Sequence, residues 1–249
     1  MKKIYFIFLV ILSIFQSNAQ TKSTLTNYQV RIFPDAFLIG TFQDYNGRFS
    51  NIDKDTQIDR YYPYEKSLAI YISYFITQNY KVKNELEIKD SYHRELYIPN
   101  LAKRLNYDFY SENGEFNITK LISEEEKLSY LLGVYYRNGN LLDENIYGIK
   151  LANSPKHKVI YQLLKDLGSD KIVYKEITDK IPKSYTFYFV ATPKMIKYFN
   201  TLNQEKIQLE FDRISSFSLS ESSENKTTKE IEKQKKELVK SLKIVWKLP

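Results

Sequence analysis

Between residues 145 and 214 the hydrophobic period switches repeatedly between two and 3.6, and nearly every switch carries its own boundary residues. In "NIYGIKLA", Tyr147, Ile149 and Leu151 share one face against Gly148 and Lys150, the alternation of a strand. Ser154 and Pro155 then supply an N-cap and a first-turn proline. Val159, Ile160, Leu163, Leu164 and Leu167 follow at helical spacing, and Gly168 stands where a C′ glycine belongs. "DKIVYKEI" reads as a strand, "TDKIP" as a turn, and "SYTFYFVA" as a strand with Tyr185, Phe187 and Phe189 on one side. Thr192 and Pro193 open a helix carrying Met195, Ile196, Phe199 and Leu202. "KIQLEFDRI" closes the run as a strand with Ile207, Leu209 and Phe211 facing inward.

The order β-α-β-β-α-β resembles the ferredoxin-like pattern, which implies an antiparallel sheet with both helices on one face. A topology of this kind is shared by many functions and assigns none. The chain ahead of it, residues 20–144, reads as a mixed strand and helix part, so the fold class is α+β. "YQVRIF" and "AFLIGTFQ" fit a strand pair turned at Pro34-Asp35, and Tyr64, Leu68, Tyr71, Ile72 and Phe75 fit a buried helix. "KNELEIK" fits a strand, Pro99 starts a short helix, and Ser123 with Glu126 forms a capping box for a helix ending near Asn138-Gly139. No internal repeat emerges from aligning the two parts.

The first 19 residues form an export signal, with Lys2 and Lys3 ahead of the apolar run Ile4 to Phe15 and small residues leading to a cut between Ala19 and Gln20. That run is too short for a membrane span of about 20 residues. The expected location is therefore the periplasm or the outside of the cell. The sequence contains no cysteine, which excludes disulfides, thiol catalysis and thiolate metal sites, and leaves stability to a hydrophobic core.

The net charge is +7, of which Lys2 and Lys3 hold two. Residues 226–247 contain eight lysines against Glu230, Glu232 and Glu237, so the part between is neutral. Totals therefore imply no basic face on the body, and no nucleic-acid partner is expected. All of these lysines but Lys226 fall in residues 227–249, where Thr227 and Glu230 can cap an amphipathic helix bearing Ile231, Leu238, Leu242 and Val245 or Trp246. This basic helix follows a serine-rich linker, residues 215–226. It could dock on its own domain or lie peripherally on an anionic surface.

"NIDKDTQIDR" offers the one candidate metal site. Asn51, Asp53, Asp55, the Gln57 carbonyl and Asp59 fall at the one, three, five, seven and nine places of a calcium loop. The ten residues resemble an EF-hand-type loop but carry Thr56 where glycine should be and Tyr62 where the bidentate acid should be. Calcium is the cofactor such a loop would take, and a polar turn is the alternative.

Candidate acid–base residues are Asp44, and His93 beside Glu95; His157 sits in a first helical turn, where a protonated ring is disfavoured. No nucleophile elbow, metalloprotease helix, phosphate loop or dinucleotide fingerprint occurs. These features favour an exported, non-catalytic binding protein of the cell envelope, its partner a protein or a glycan. The alternative is an extracellular hydrolase of glycan or phosphoester using paired carboxylates, with or without calcium. An inhibitor of a secreted enzyme is a third reading.

Overall fold

A computed structural model describes residues 30–83, 85–88, 93–218 and 224–248. The expected export signal and the centre of the serine-rich linker lie outside the described residues. The fold is α+β with two antiparallel sheets.

The first half runs α1 (Pro34–Thr41), β1 (Gln57–Tyr61), α2 (Lys66–Tyr80), β2 (Glu85–Ile88), β3 (Arg94–Tyr97) and α3 (Pro99–Phe109). The second runs α4 (Glu124–Asn138), β4 (Gly139–Asp143), β5 (Ile146–Ala152), α5 (Lys156–Asp166), β6 (Ile172–Ile177), β7 (Ser184–Val190) and α6 (Pro193–Phe199). Two further helices follow, α7 (Asn203–Ser218) and α8 (Glu224–Trp246).

The sheet orders β1-β3-β2 and β4-β5-β7-β6 show that one plan is used twice, with β1, β2 and β3 matching β5, β6 and β7. Prolines mark equivalent joints: Pro63 and Pro155 precede the middle helices, while Pro99 and Pro193 open the helices after the inner strands. The repeat is therefore structural, although aligning the two parts had found none.

The halves meet where α1 packs along α4. Gly40 and Gly133 face each other there, and a Cβ on Gly40 would collide with the Tyr130 carbonyl as one on Gly133 would with that of Phe37. The missing side chains let the two backbones touch. Around this crossing lies the main core, which includes Phe37, Leu38, Tyr130, Leu131, Ile149, Phe187 and Phe189.

Two expected strands are helices. "AFLIGTFQ" forms α1, started by Pro34 in its first turn and Asp35 beside it. An apolar run of this length does not distinguish strand from helix by period; the contact with α4 decides. "KIQLEFDRI" belongs to α7: Leu209 and Lys206 are buried, but Ile207 and Phe211 are 57% and 63% exposed, so the expected inward alternation fails. The sheet place beside β5 expected for this segment is filled by β4, through pairs such as Asn140 with Gly148.

The basic helix α8 docks on the outer face of the four-stranded sheet. Leu238, Val239, Leu242 and Trp246 pack with Leu142, Ile146, Tyr188 and Val190, and Lys243 pairs with Asp143 at 3.0 Å. Leu238, Leu242 and Trp246 of its apolar stripe are thus covered by protein, while Ile231 is 58% exposed. Of the two expectations for this helix, docking on its own domain is the one seen for this face.

Candidate functional site

The C-terminal ends of α1 and α4 meet in a buried polar cluster. A helix leaves its last carbonyls without intrahelical partners and carries partial negative charge at that end. Here cations supply the missing donors. Lys156 Nζ donates to the carbonyls of Ile39 and Gly40, each at 3.3 Å, and to that of Phe42. Arg137 Nη1 donates to the Thr41 carbonyl at 2.9 Å, and Arg48 Nη1 to that of Gln43 at 3.2 Å. On α4, Lys206 Nζ reaches the Tyr136 carbonyl at 3.1 Å and Arg213 Nη2 the Arg137 carbonyl.

Three carboxylates stand among these five cations, and Glu210 pairs with Lys206 at 2.8 Å and with Arg213 at 3.2 Å. Asp59 is wholly buried and accepts from Arg48 Nη1 at 3.1 Å, from Arg137 Nη1 at 2.6 Å and from the Gln43 amide. Glu65 accepts from Arg137 Nε at 2.9 Å and Nη2 at 2.7 Å. Ser154 Oγ donates to Asp44 Oδ1 at 2.6 Å. Arg137 also donates to the Arg60 carbonyl at 2.8 Å, and Arg48 Nη2 to that of Ile58. These are carbonyls of β1, which unlike β5 has no second strand beside it among the described residues. Two guanidiniums provide the hydrogen bonding that β4 provides in the second half.

Burial would lower the Arg137 pKa, but Glu65 and Asp59 outweigh it and hold the group above its ordinary value. Lys156 and Lys206 are lowered to about 8 by burial, which Asp44 and Glu210 respectively offset only in part. Asp59, Glu65, Arg48 and Arg137 thus form a densely bonded ion network whose shape is that of a support.

Over it opens a cleft of ≈ 620 Å³ between the halves. Asp44 and Ser154, 6% and 4% exposed, are among its buried members, with Phe42, Glu65, Arg137 and Leu151. Tyr62 and Tyr64 stack on its wall with ring centroids 5.2 Å apart and planes 11° apart. Lys150 and Arg213 also line it, Lys150 from the exposed side of β5. A second groove, of ≈ 800 Å³, runs between α8 and β4 and is lined by Lys235, Lys236, Lys240 and Lys243.

The structure scatters the residues picked from spacing. In the loop, Asn51 Nδ2 donates to the Tyr45 carbonyl at 3.2 Å and Asp53 Oδ1 accepts from the Asp55 amide at 2.9 Å. That hydrogen bond heads those that hold the Asp53 carboxyl below its ordinary pKa. Gln57 is buried, its Oε1 accepting from the Asp53 amide at 3.3 Å. Asp59 points inward to the two arginines, so the set loses its ninth-place ligand. Among the described residues no three histidine or acidic side chains stand together as a metal-holding group. His93 lies with both ring nitrogens within 3.2 Å of Arg60 Nη2, and Glu95 accepts from the Tyr97 hydroxyl. Both belong to the small sheet, whereas Asp44 is in the cleft.

No protein-family model matches the chain, and no curated protein matches it. Among solved structures, it is similar to the homing endonuclease I-DmoI in complex with DNA and Ca, at 15% identity and a TM-score of 0.41, covering 68% of this chain and 87% of that one. Mesophilic variants of I-DmoI match at 15% identity and a TM-score of 0.41, over 68% of this chain and 93% of theirs. I-DmoI in complex with DNA and Mn matches at 16% identity and a TM-score of 0.41, over 68% and 94%. Likeness at this level assigns no activity or ligand to this chain. It does correct two expectations. The three structures named are of a homing endonuclease, two of them in complex with DNA, and against them the envelope-binding reading and the exclusion of nucleic acid are both withdrawn.

Sequence reasoning missed Arg48, Glu65, Arg137, Lys156 and Arg213. Each is an ordinary charged residue in its local window, and what marks them is contact across long separations, 72 residues for Glu65 with Arg137. One signal was available: Gly40 and Gly133 hold like places ahead of Pro63 and Pro155.

Proposed function

We propose that this protein binds nucleic acid in the groove between α8 and β4. The observation that carries the reading is four lysines, Lys235, Lys236, Lys240 and Lys243, lining one groove. Among the described residues only Lys243 of the four has an ion-pair partner, Asp143. Four lysines against two lining acids, Asp143 and Glu232, leave the groove net positive, which suits a phosphodiester backbone, whose binding is driven largely by counterion release. The outer side of the small sheet has the opposite character, with Glu87 beside Glu95 across β2 and β3 and Glu85 exposed nearby. A polyanion is therefore steered to the second half.

Fluorescence anisotropy with labelled single-stranded and duplex DNA and RNA tests this, at 50 and at 200 mM salt as order-of-magnitude brackets, roughly. The expected result is salt-dependent binding that a Lys235→Gln, Lys236→Gln, Lys240→Gln variant weakens about tenfold or more, with a shallower salt slope. Equal binding by the variant and the unaltered chain would dismiss the groove. Calcium enters only through Asn51, Asp53 and Asp55, and a thermal-shift series in calcium checks it. Export with cleavage ahead of Gln20 is a separate proposal from residues 1–19, checked by N-terminal sequencing of the mature chain.

A further inference from the structure

We propose that the cleft between the halves is a mononucleotide site, distinct from the lysine groove and independent of it. Asp44 is the key observation: it lines the cleft, one carboxylate oxygen takes the Ser154 hydroxyl, and the other stands open to the cleft with no protein hydrogen bond among the described residues. An acceptor oxygen placed there is available to a donor from a ligand.

The charge balance around it selects the donor. Asp44, Asp59 and Glu65 face Lys156, Arg48, Arg137 and Lys206, three buried anions against four buried cations. A ligand ammonium placed on Asp44 would add an uncompensated charge at a desolvated spot, which costs more than a hydrogen bond returns. A neutral N–H donor adds none. Further out, Lys150 is exposed and has no ion-pair partner among the described residues, while Arg213, which lines the same cleft, pairs with Glu210 at 3.2 Å. Lys150 suits an anionic group, with Arg213 beside it. The Tyr62–Tyr64 stack offers a flat aromatic wall between these poles.

A neutral, donor-bearing planar ring joined to an anion is a nucleotide. Guanine fits best, because its adjacent imino and amino N–H groups match a carboxylate and leave the ring face for tyrosine. In this arrangement Asp44 accepts from the base, Tyr62 and Tyr64 pack against it, and Lys150 with Arg213 hold the phosphate.

Isothermal titration of the full chain with GMP, AMP, CMP, ribose 5-phosphate and inorganic phosphate decides the matter. GMP is expected to bind most tightly, with ribose 5-phosphate and phosphate at least roughly tenfold weaker. Asp44→Asn should remove the preference for GMP over AMP, and Lys150→Gln should weaken all three nucleotides by a similar factor. Absence of GMP binding overturns the proposal, as does GMP binding no better than ribose 5-phosphate. Should Asp44→Asn fail to fold, the comparison of bases and the exposed Lys150→Gln variant still decide it. Unchanged nucleotide affinity in Lys150→Gln counts against the site. The lysine-groove variant should retain GMP binding, so failure of one site is distinguishable from failure of the other.

Discussion

Replacing Asp59 with asparagine would leave Arg48 and Arg137 close together in a core that excludes water. Breaking a buried pair by removing one partner costs about 3–5 kcal/mol, and urea unfolding of Asp59→Asn should show a loss of that size. The exposed pair Arg104–Asp35, with side chains 42% and 33% exposed, provides the contrast. Its loss in Arg104→Ala should cost under about 1 kcal/mol. A small effect at Asp59 would mean that the network is not what holds β1. The sequence makes Asp59 legible as an acid at an evocative spacing, but not as a buried one. Its partner Arg137 stands 78 residues away, and local spacing carries no information about such a contact.

At the scale of elements, the crossing of α1 and α4 depends on two residues that have no side chain. Gly133→Ala puts a methyl group into the Phe37 carbonyl and should cost about 3 kcal/mol, the upper range for overpacking, or prevent folding. Gly168→Ala meets only a strained backbone, at φ +85°, and should cost about 1 kcal/mol. Denaturant midpoints of the two variants check the order. The elements that were legible are those fixed by their own neighbours. The Ser123–Glu126 capping box forms as read, Glu126 accepting the Ser123 amide at 2.7 Å and donating its own amide back to Ser123 Oγ at 3.2 Å. Pro99 and Pro193 open helices as read. What failed were α1 and α7, short apolar runs whose conformation is set by what they pack against.

For the whole molecule, the buried lysines and tyrosines make stability depend on alkaline pH in two opposed ways. Lys156 and Lys206, at about 8, lie below their unfolded value of 10.5. Between those values the unfolded chain binds more protons, so stability rises with pH, by on the order of 3 kcal/mol for each lysine across the full interval. Buried tyrosines such as Tyr61, Tyr110 and Tyr130 are raised above their ordinary 10 by burial. Above that pH the unfolded chain ionises first and stability falls. Melting temperatures should therefore climb from pH 8 to a maximum near 10 and then drop; a monotonic fall from pH 8 would show that the two lysines do not titrate in this way. The doubled plan was present in the sequence as matched glycines and prolines, but diverged side chains hide it from alignment, as does the lack of a counterpart of β4 among the described residues. That doubling has a practical outcome at the Gly40–Gly133 seam. A chain severed in the connection between α3 and α4 yields two pieces, each ending its core at a bare glycine face made for the other. Co-expressed, such fragments are suited to complementation, and either one alone to pairing with its own twin.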